Sequence, residues 1–294
     1  MELVLADAGS LLDRHPLAFD LLVILGAAVA GCFGALVGLG GGILVTPLLV
    51  LGCGMDMKTA MGASLLAVIA TSSGAAANRT KDSLSNYRVG MFLEVAATIG
   101  AVVGALLAAL ADPAWLALLF GCLLIVTAIL TWRKKEDTLT HHLPVDPMSK
   151  RLRLDSRYET RDGWVRYHIQ RPMPGFAVMI AAGMISGLLG IGSGVLKVVA
   201  MDSLMKMPFR VSTTTSNFMI GLTAVASVSV YTAQGFMDPL VAAPVLLGIV
   251  PGAMIGARLV TVLKVRMLRT LFLLALLIIA AQMLFRGFGE LVPT

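Results

Sequence analysis

The chain has 294 residues, of which 57% are hydrophobic and 14% charged, with a mean hydropathy of +0.88 and a net charge of +6. A soluble domain carries about 25% charged residues, so this balance excludes a soluble enzyme, a disordered chain and a collagen-like fibre. It indicates a helical membrane protein with several spans, because the apolar runs do not alternate as barrel strands would.

The basic residues lie between apolar runs rather than in a nucleic-acid-binding patch. Ten of the 23 Lys and Arg fall between Arg133 and Arg171, the distribution of topology-setting charge. Cys32, Cys53 and Cys122 have neither metal-ligand nor disulfide spacing and read as buried small apolar residues. Residues 1–20 lack a basic n-region and do not read as a cleaved signal peptide.

In chain order, the first uncharged run is Leu21 to Met55. As one helix it would be about 50 Å long, against a bilayer core of about 30 Å. It must break, and Gly38-Leu39-Gly40-Gly41-Gly42 is the place, leaving a span before it and a short apolar segment, Ile43 to Gly54, after it. Thr59 to Asn78, Val89 to Ala111 and Pro113 to Trp132 are the next runs. The linker, residues 133–172, is hydrophilic. Partly alternating stretches, Leu152 to Tyr158 and Trp164 to Ile169, flank Asp162-Gly163 and predict a small aqueous β-hairpin. Pro172 to Leu196 then carries Gly190-Ile191-Gly192-Ser193-Gly194, followed by a short piece with Lys197 and Asp202. Val211 to Met237, Pro239 to Val262 and Thr270 to Phe285 complete the set.

The two halves repeat with an offset of 152 residues. It carries Gly38, Gly40 and Gly42 onto Gly190, Gly192 and Gly194, and Ser64 onto Ser216. It also carries the Gly100/Gly104 pair onto Gly252/Gly256. Glycine-interrupted helices at matching positions of two repeats point to the binding site of a secondary transporter. Five segments per half make the second half enter from the opposite side. With the N-terminus outside, the inner loops then hold 19 basic residues and the outer loops three, which the positive-inside rule favours over a four-crossing reading.

Irregular backbone at membrane depth must be covered by protein or line a cavity, so Gly40, Gly41, Gly42, Gly192, Ser193 and Gly194 are candidate site positions. Ser64, Thr215, Ser216 and Asn217 add hydroxyls and an amide close to expected helix starts, where free N–H groups attract anions. The competing reading is that they cap helices or bond across helix pairs. Lys197 places a charge inside a span, a functional-site hypothesis by default. The alternatives for it are snorkelling and a pair with Asp202. Glu94 reads as facing the inner surface, with proton coupling left open. The Gly-x-x-x-Gly pairs at 34/38, 100/104 and 252/256 read as packing motifs. No Walker motif or metal-ligand set is present, so neither cofactor, metal nor catalytic residue is expected. His141, His142 and His168 fall in the linker.

Gly38 to Pro47 and Gly190 to Lys197 are each followed about twenty residues on by a small-polar motif. These are Ala60-Met61-Gly62-Ala63-Ser64-Leu65 and Thr214-Thr215-Ser216-Asn217-Phe218-Met219-Ile220-Gly221. On these paired motifs the chain resembles the TauE/SafE family of sulfite and organosulfonate exporters, from Leu21 to Phe285. Val199 stands where the first motif has Pro47, and Ser193 replaces a glycine. The resemblance implies movement of small sulfur-containing anions across the plasma membrane without ATP.

The expectation is therefore an all-α integral membrane protein of two inverted five-segment repeats with glycine-broken helices. The repeats are residues 1–132 and 173–294, joined by a cytoplasmic linker, 133–172, that carries the hairpin. Its partners are a small anion and the lipid bilayer, with no nucleic acid and a homodimer left open. It would export sulfite or an organosulfonate by alternating access, one half rocking against the other. The rivals are an anion channel, an intramembrane enzyme and a membrane anchor that signals through the linker.

Overall fold

The structure is a computed structural model that describes residues 16–37, 40–79, 85–132, 146–160, 163–192, 194–259 and 265–291. Before the linker come α1 (Pro16–Val37), α2 (Gly42–Pro47), α3 (Met57–Arg79), α4 (Tyr87–Leu110) and α5 (Pro113–Trp132). The linker adds a short helix, α6 (Pro147–Arg151), and strands β1 (Ser156–Thr160) and β2 (Gly163–Tyr167). After it come α7 (Pro172–Leu189), α8 (Gly194–Val199), α9 (Phe209–Ala233), α10 (Pro239–Leu259) and α11 (Val265–Leu291). Both α2 and α8 continue into a π-helical turn, Leu48–Gly52 and Ala200–Leu204. Pro47 is thus not the cause of the turn, since Val199 precedes the same feature.

The 152-residue offset aligns the starts of α2/α8, both π turns, α3/α9, α4/α10 and α5/α11, and the ends of α1/α7. Local chemistry sets these starts. Asn86 caps α4 by accepting from Val89 N, and its repeat mate Asp238 caps α10 by accepting from Leu240 N. Asp56 accepts from Lys58 N and Thr59 N, so α3 begins two residues before the expected uncharged run. Helix α11 extends beyond its uncharged run at both ends, taking in Arg269 and Glu290. Six helices among the described residues are long and apolar enough to cross a membrane. Outward faces carry Leu106, Leu110, Trp115, Leu119, Leu240 and Leu247, all exposed, as a lipid-facing surface requires. Cys53 is buried, but Cys122 lies on such an outward face, so the buried reading fails for it. A single helix's composition does not tell which face is covered.

The halves interlock. A Cβ on Gly100 would lie 2.0 Å from Ile180 O and one on Gly104 2.0 Å from Met184 O, so α4 packs backbone to backbone on α7. The repeat-related contacts pair α10 with α1: a Cβ on Gly252 would lie 2.0 Å from Ala28 O, and one on Gly256 2.4 Å from Cys32 O. Each half thus lends a helix to the other's bundle. Rocking of one sequence half against the other as a rigid body would have to part both interfaces. Between the bundles α3 crosses its repeat mate α9 antiparallel: Gly62 abuts Phe236 O at one end, and Gly221 abuts Ser72 further along.

The hairpin is present with shifted bounds. Gly163 pairs with Thr160 as the first residue of β2, so the connection is 161–162 and Gly163 is not part of it. Position 162 lies outside the described residues. Leu152 and Arg153 form a turn behind α6, with Arg153 at φ +52°, and do not extend β1. Asp146 starts α6 by accepting from Met148 N and Ser149 N. Tyr158 and Tyr167 share one buried apolar cluster with Val89 and Leu93 of α4, and Asn86 Nδ2 at the start of α4 donates to the Tyr167 hydroxyl at 2.8 Å. Asp155 ties the hairpin together, accepting from Ser149 Oγ (2.8 Å) and Ile169 N (2.9 Å) and pairing with His168 Nδ1 (3.1 Å). Burial pushes the Asp155 carboxyl up. The Ile169 N–H, the His168 ring, the Ser149 hydroxyl and the charge on His168 outweigh it and hold the group below the usual carboxylate range. Burial raises the Tyr167 phenol to about 12.

Candidate substrate site at the broken helices

The two glycine breaks meet at the α3–α9 crossing. Gly40 and its mate Gly192 take φ values of +81° and +76°, which favour glycine. A Cβ on Gly192 would lie 2.9 Å from both Val68 Cγ1 and Ile220 Cγ2, and those two residues are themselves repeat mates. At the centre of the crossing Val68 of α3 and Ile220 of α9 therefore both pack against Gly192, flanked by polar ties.

Those ties repeat as well. Ser64 Oγ donates to Gly42 O (2.8 Å) or to Gly190 O (2.9 Å), so one hydroxyl bridges both breaks. Its mate Ser216 donates to Gly194 O at 3.2 Å. Gly41 N donates to Thr71 Oγ1 at 3.3 Å, and Thr71 in turn donates to Ala67 O. Its mate Thr223 donates to Met219 O in the same way. A Cβ on Gly42 would lie 2.2 Å from Val68 Cγ2, so α2 lies close against α3.

Gly40, Gly41, Gly42, Ser64 and Gly192 thus come together, and Gly194 joins them through Ser216. Ser193 lies outside the described residues. The Thr215-Ser216-Asn217 cluster is divided. Helix α9 starts at Phe209, so these residues sit beyond its first turn and their own N–H groups are not the free ones. Neighbouring side chains on a helix point about 100° apart. Ser216 therefore faces α8, while Thr215 Oγ1 accepts from Asn86 N at 3.1 Å, toward the start of α4. Asn217 is buried beside them.

Lys197 is fully buried and does not snorkel. Its ammonium donates to Thr223 Oγ1 and to Met219 O (3.4 Å), and lies 3.8 Å from Glu94 Oε2. Glu94 is buried as well, two turns into α4, and does not face a surface. Its Oε1 accepts from Thr223 Oγ1 (2.7 Å) and Thr98 Oγ1 (3.3 Å). Sequence reasoning missed Thr98 and Thr223, noted Thr71 only as a hydroxyl along its helix, and considered Glu94 for proton coupling but placed it at the inner surface. The offset that found Ser64 and Ser216 also relates Thr71 to Thr223, so a signal for that pair was present. The mates of Lys197 and Glu94 are Val45 and Leu246, so the charge pair exists in one of the two equivalent places.

The crossing of broken helices thus brings together hydroxyls, a backbone amide, an ammonium and a carboxylate. The fold that surrounds it is that of a multi-pass α-helical membrane protein. The chain belongs to the sulfite exporter TauE/SafE family, whose model matches residues 23–283. It is similar to the probable membrane transporter protein YunE of Bacillus subtilis, 27% identical over 92% of this chain and 99% of that protein. A probable membrane transporter protein of Xylella fastidiosa is 27% identical over 93% and 98%. The probable membrane transporter protein MJ0441 of Methanocaldococcus jannaschii is 28% identical over 73% of each chain. No solved structure matches.

Proposed function

We propose that this membrane transporter is a secondary carrier of small anions, with sulfite or an organosulfonate as substrate and export as its direction. The observation that carries the reading is the meeting of the two glycine breaks at the α3–α9 crossing, the arrangement that inverted-repeat carriers use for substrate. The antiparallel run of α3 and α9 and the basic residues of the loops support an inverted repeat with the linker in the cytoplasm. The ammonium of Lys197 and the hydroxyls of Ser64, Thr71 and Thr223 support an anion. The family's description supports sulfite or a sulfonate.

Alternating access takes a particular form here. The α4–α7 and α1–α10 pairs are each held by backbone contact, so the moving bodies are these mixed bundles. They pivot across α3 and α9, and Val68 and Ile220, both packed against Gly192, separate the two sides of the site. An anion channel would lack this requirement for motion.

A thermal-shift screen of the purified protein against sulfite, sulfate, thiosulfate, taurine, sulfoacetate and simple carboxylates tests the substrate class. A ligand at a hundred times its dissociation constant stabilises by about 2.7 kcal/mol. Stabilisation by sulfur oxyanions or sulfonates supports the reading, and stabilisation by carboxylates alone replaces it.

A further inference from the structure

We propose that Glu94 is a proton-binding site, and that the protein binds a proton and an anion together, Lys197 passing from Glu94 to the anion as it does so. The proposal rests on the small-anion reading above and adds the coupling ion to it.

The geometry of the pair points this way. Lys197 carries three N–H donors. Two have partners, Thr223 Oγ1 and Met219 O. The third group across from it, Glu94 Oε2, is 3.8 Å away, beyond hydrogen-bond reach. Glu94 Oε2 is buried and accepts no hydrogen bond, whereas Oε1 accepts two. A satisfied structural ion pair would use both carboxylate oxygens. Here one oxygen is open to a proton and one N–H is open to an anion.

Thr223 joins the two ends. Its single hydroxyl proton is shared between Glu94 Oε1 and Met219 O while its oxygen accepts from Lys197. Rotating that hydroxyl toward Met219 O lets Glu94 take a proton on Oε2 without stranding the Thr223 donor. No bond other than O–H forms, and the proton comes from water.

Charge balance sets the sign. A proton on Glu94 alone would leave the Lys197 ammonium buried and uncompensated. An anion on Lys197 alone would leave Glu94 and the anion as two negative charges about one cation. Both together restore neutrality, so each favours the other, and by linkage the effect is reciprocal. A monovalent anion thus crosses with no net charge. On a membrane that is acidic outside, the proton favours inward movement, and efflux requires an outward anion gradient that exceeds the pH gradient.

Few other ionisable groups face Glu94. Helix α7 has none between Pro172 and Leu189. On α9 the ionisable residues are Arg210, whose side chain lies outside the described residues, and Tyr231, which donates to Gly187 O. Asp202 lies beyond Lys197 in the π turn, and Arg88 lies exposed at the start of α4. The hairpin under α4 brings Tyr158, Tyr167, Asp155 and His168, of which Asp155 and His168 pair with each other. Because Val45 and Leu246 replace the pair in the other half, a single proton site is expected per chain.

The test is proton uptake on anion binding, followed with a pH-indicator dye in weakly buffered detergent solution. Methanesulfonate, sulfate and thiosulfate are the probes, because they do not themselves titrate near neutrality as sulfite does. Thermal shift in the same samples shows which of them binds. A probe that stabilises the wild type and draws a proton from solution supports the proposal. So does anion binding without proton uptake in Glu94→Gln, which mimics the protonated carboxyl and leaves Lys197 for the anion. Binding without proton uptake by the wild type overturns the coupling and leaves the anion site standing. Failure of all three probes to bind, with sulfite and taurine also failing to stabilise the protein, overturns the small-anion reading, and the coupling with it.

Discussion

Lys197 Nζ and Glu94 Oε2, from opposite halves of the chain, lie 3.8 Å apart in the buried interior, with Thr223 Oγ1 hydrogen-bonded to the ammonium and to the carboxylate. The pair spans the interface between the repeats, so its energetics report on how they are held together. Breaking a buried pair by removing one partner costs about 3–5 kcal/mol. Lys197→Met and Glu94→Leu are each expected to destabilise by that order in thermal unfolding. The double variant is expected to recover most of the loss while transport stays abolished. Additive losses in the double variant would show that the two side chains do not interact.

The glycine contacts give a graded prediction. Gly252→Ala is expected to destabilise strongly, because its Cβ would lie 2.0 Å from Ala28 O, and Gly100→Ala should behave alike. Gly74→Ala, on α3 with nothing within 4 Å of the added Cβ, is expected to gain about 0.5–1 kcal/mol. Thermal unfolding in detergent checks all three. Equal effects at Gly252 and Gly74 would contradict the packing described.

Topology is open to thiol labelling in a background without Cys32, Cys53 and Cys122. Ser149 is a poor place for the probe, because it is buried and its hydroxyl is used by Asp155. Lys150→Cys is exposed and is expected to label from the cytoplasm only, and Asp238→Cys from outside only. Labelling of both from one side would refute the inverted repeat.

The hairpin carries a pH dependence with a definite sign. The folded Asp155 carboxyl is held below its unfolded value of about 3.9. Its contribution is therefore full above that value and is lost as pH falls through the lower folded one. Hydrogen exchange over residues 163–169, corrected for intrinsic rates, is expected to show protection falling on acidification. Asp155→Asn should start from lower protection and lack the change. An unaltered pH profile in that variant would remove Asp155 from the docking.

Much of the architecture was written in local patterns. The breaks follow from an uncharged run too long for the bilayer, and the offset that aligns Ser64 with Ser216 also aligns their bonds to Gly42 and Gly194. What could not be read was which helices face one another. Glu94 resembles a residue near a span end until α8 from the other half lays Lys197 beside it. Thr215 and Ser216 resemble one cluster until the helical turn sends them to different neighbours, Asn86 and Gly194. The start of α9 was misplaced because Phe209 and Arg210 precede the uncharged run that marked the span.

The central claim is that this protein carries small sulfur-containing anions through a site at its broken helices. The most direct measurement is flux of radiolabelled sulfite and of taurine into proteoliposomes of oriented protein, over a range of concentrations, for the wild type and for Lys197→Met. Saturable flux of at least one of these is expected in the wild type, with its loss in a folded Lys197→Met protein. Flux that rises linearly without saturation, or wild-type flux in the variant, would contradict the claim.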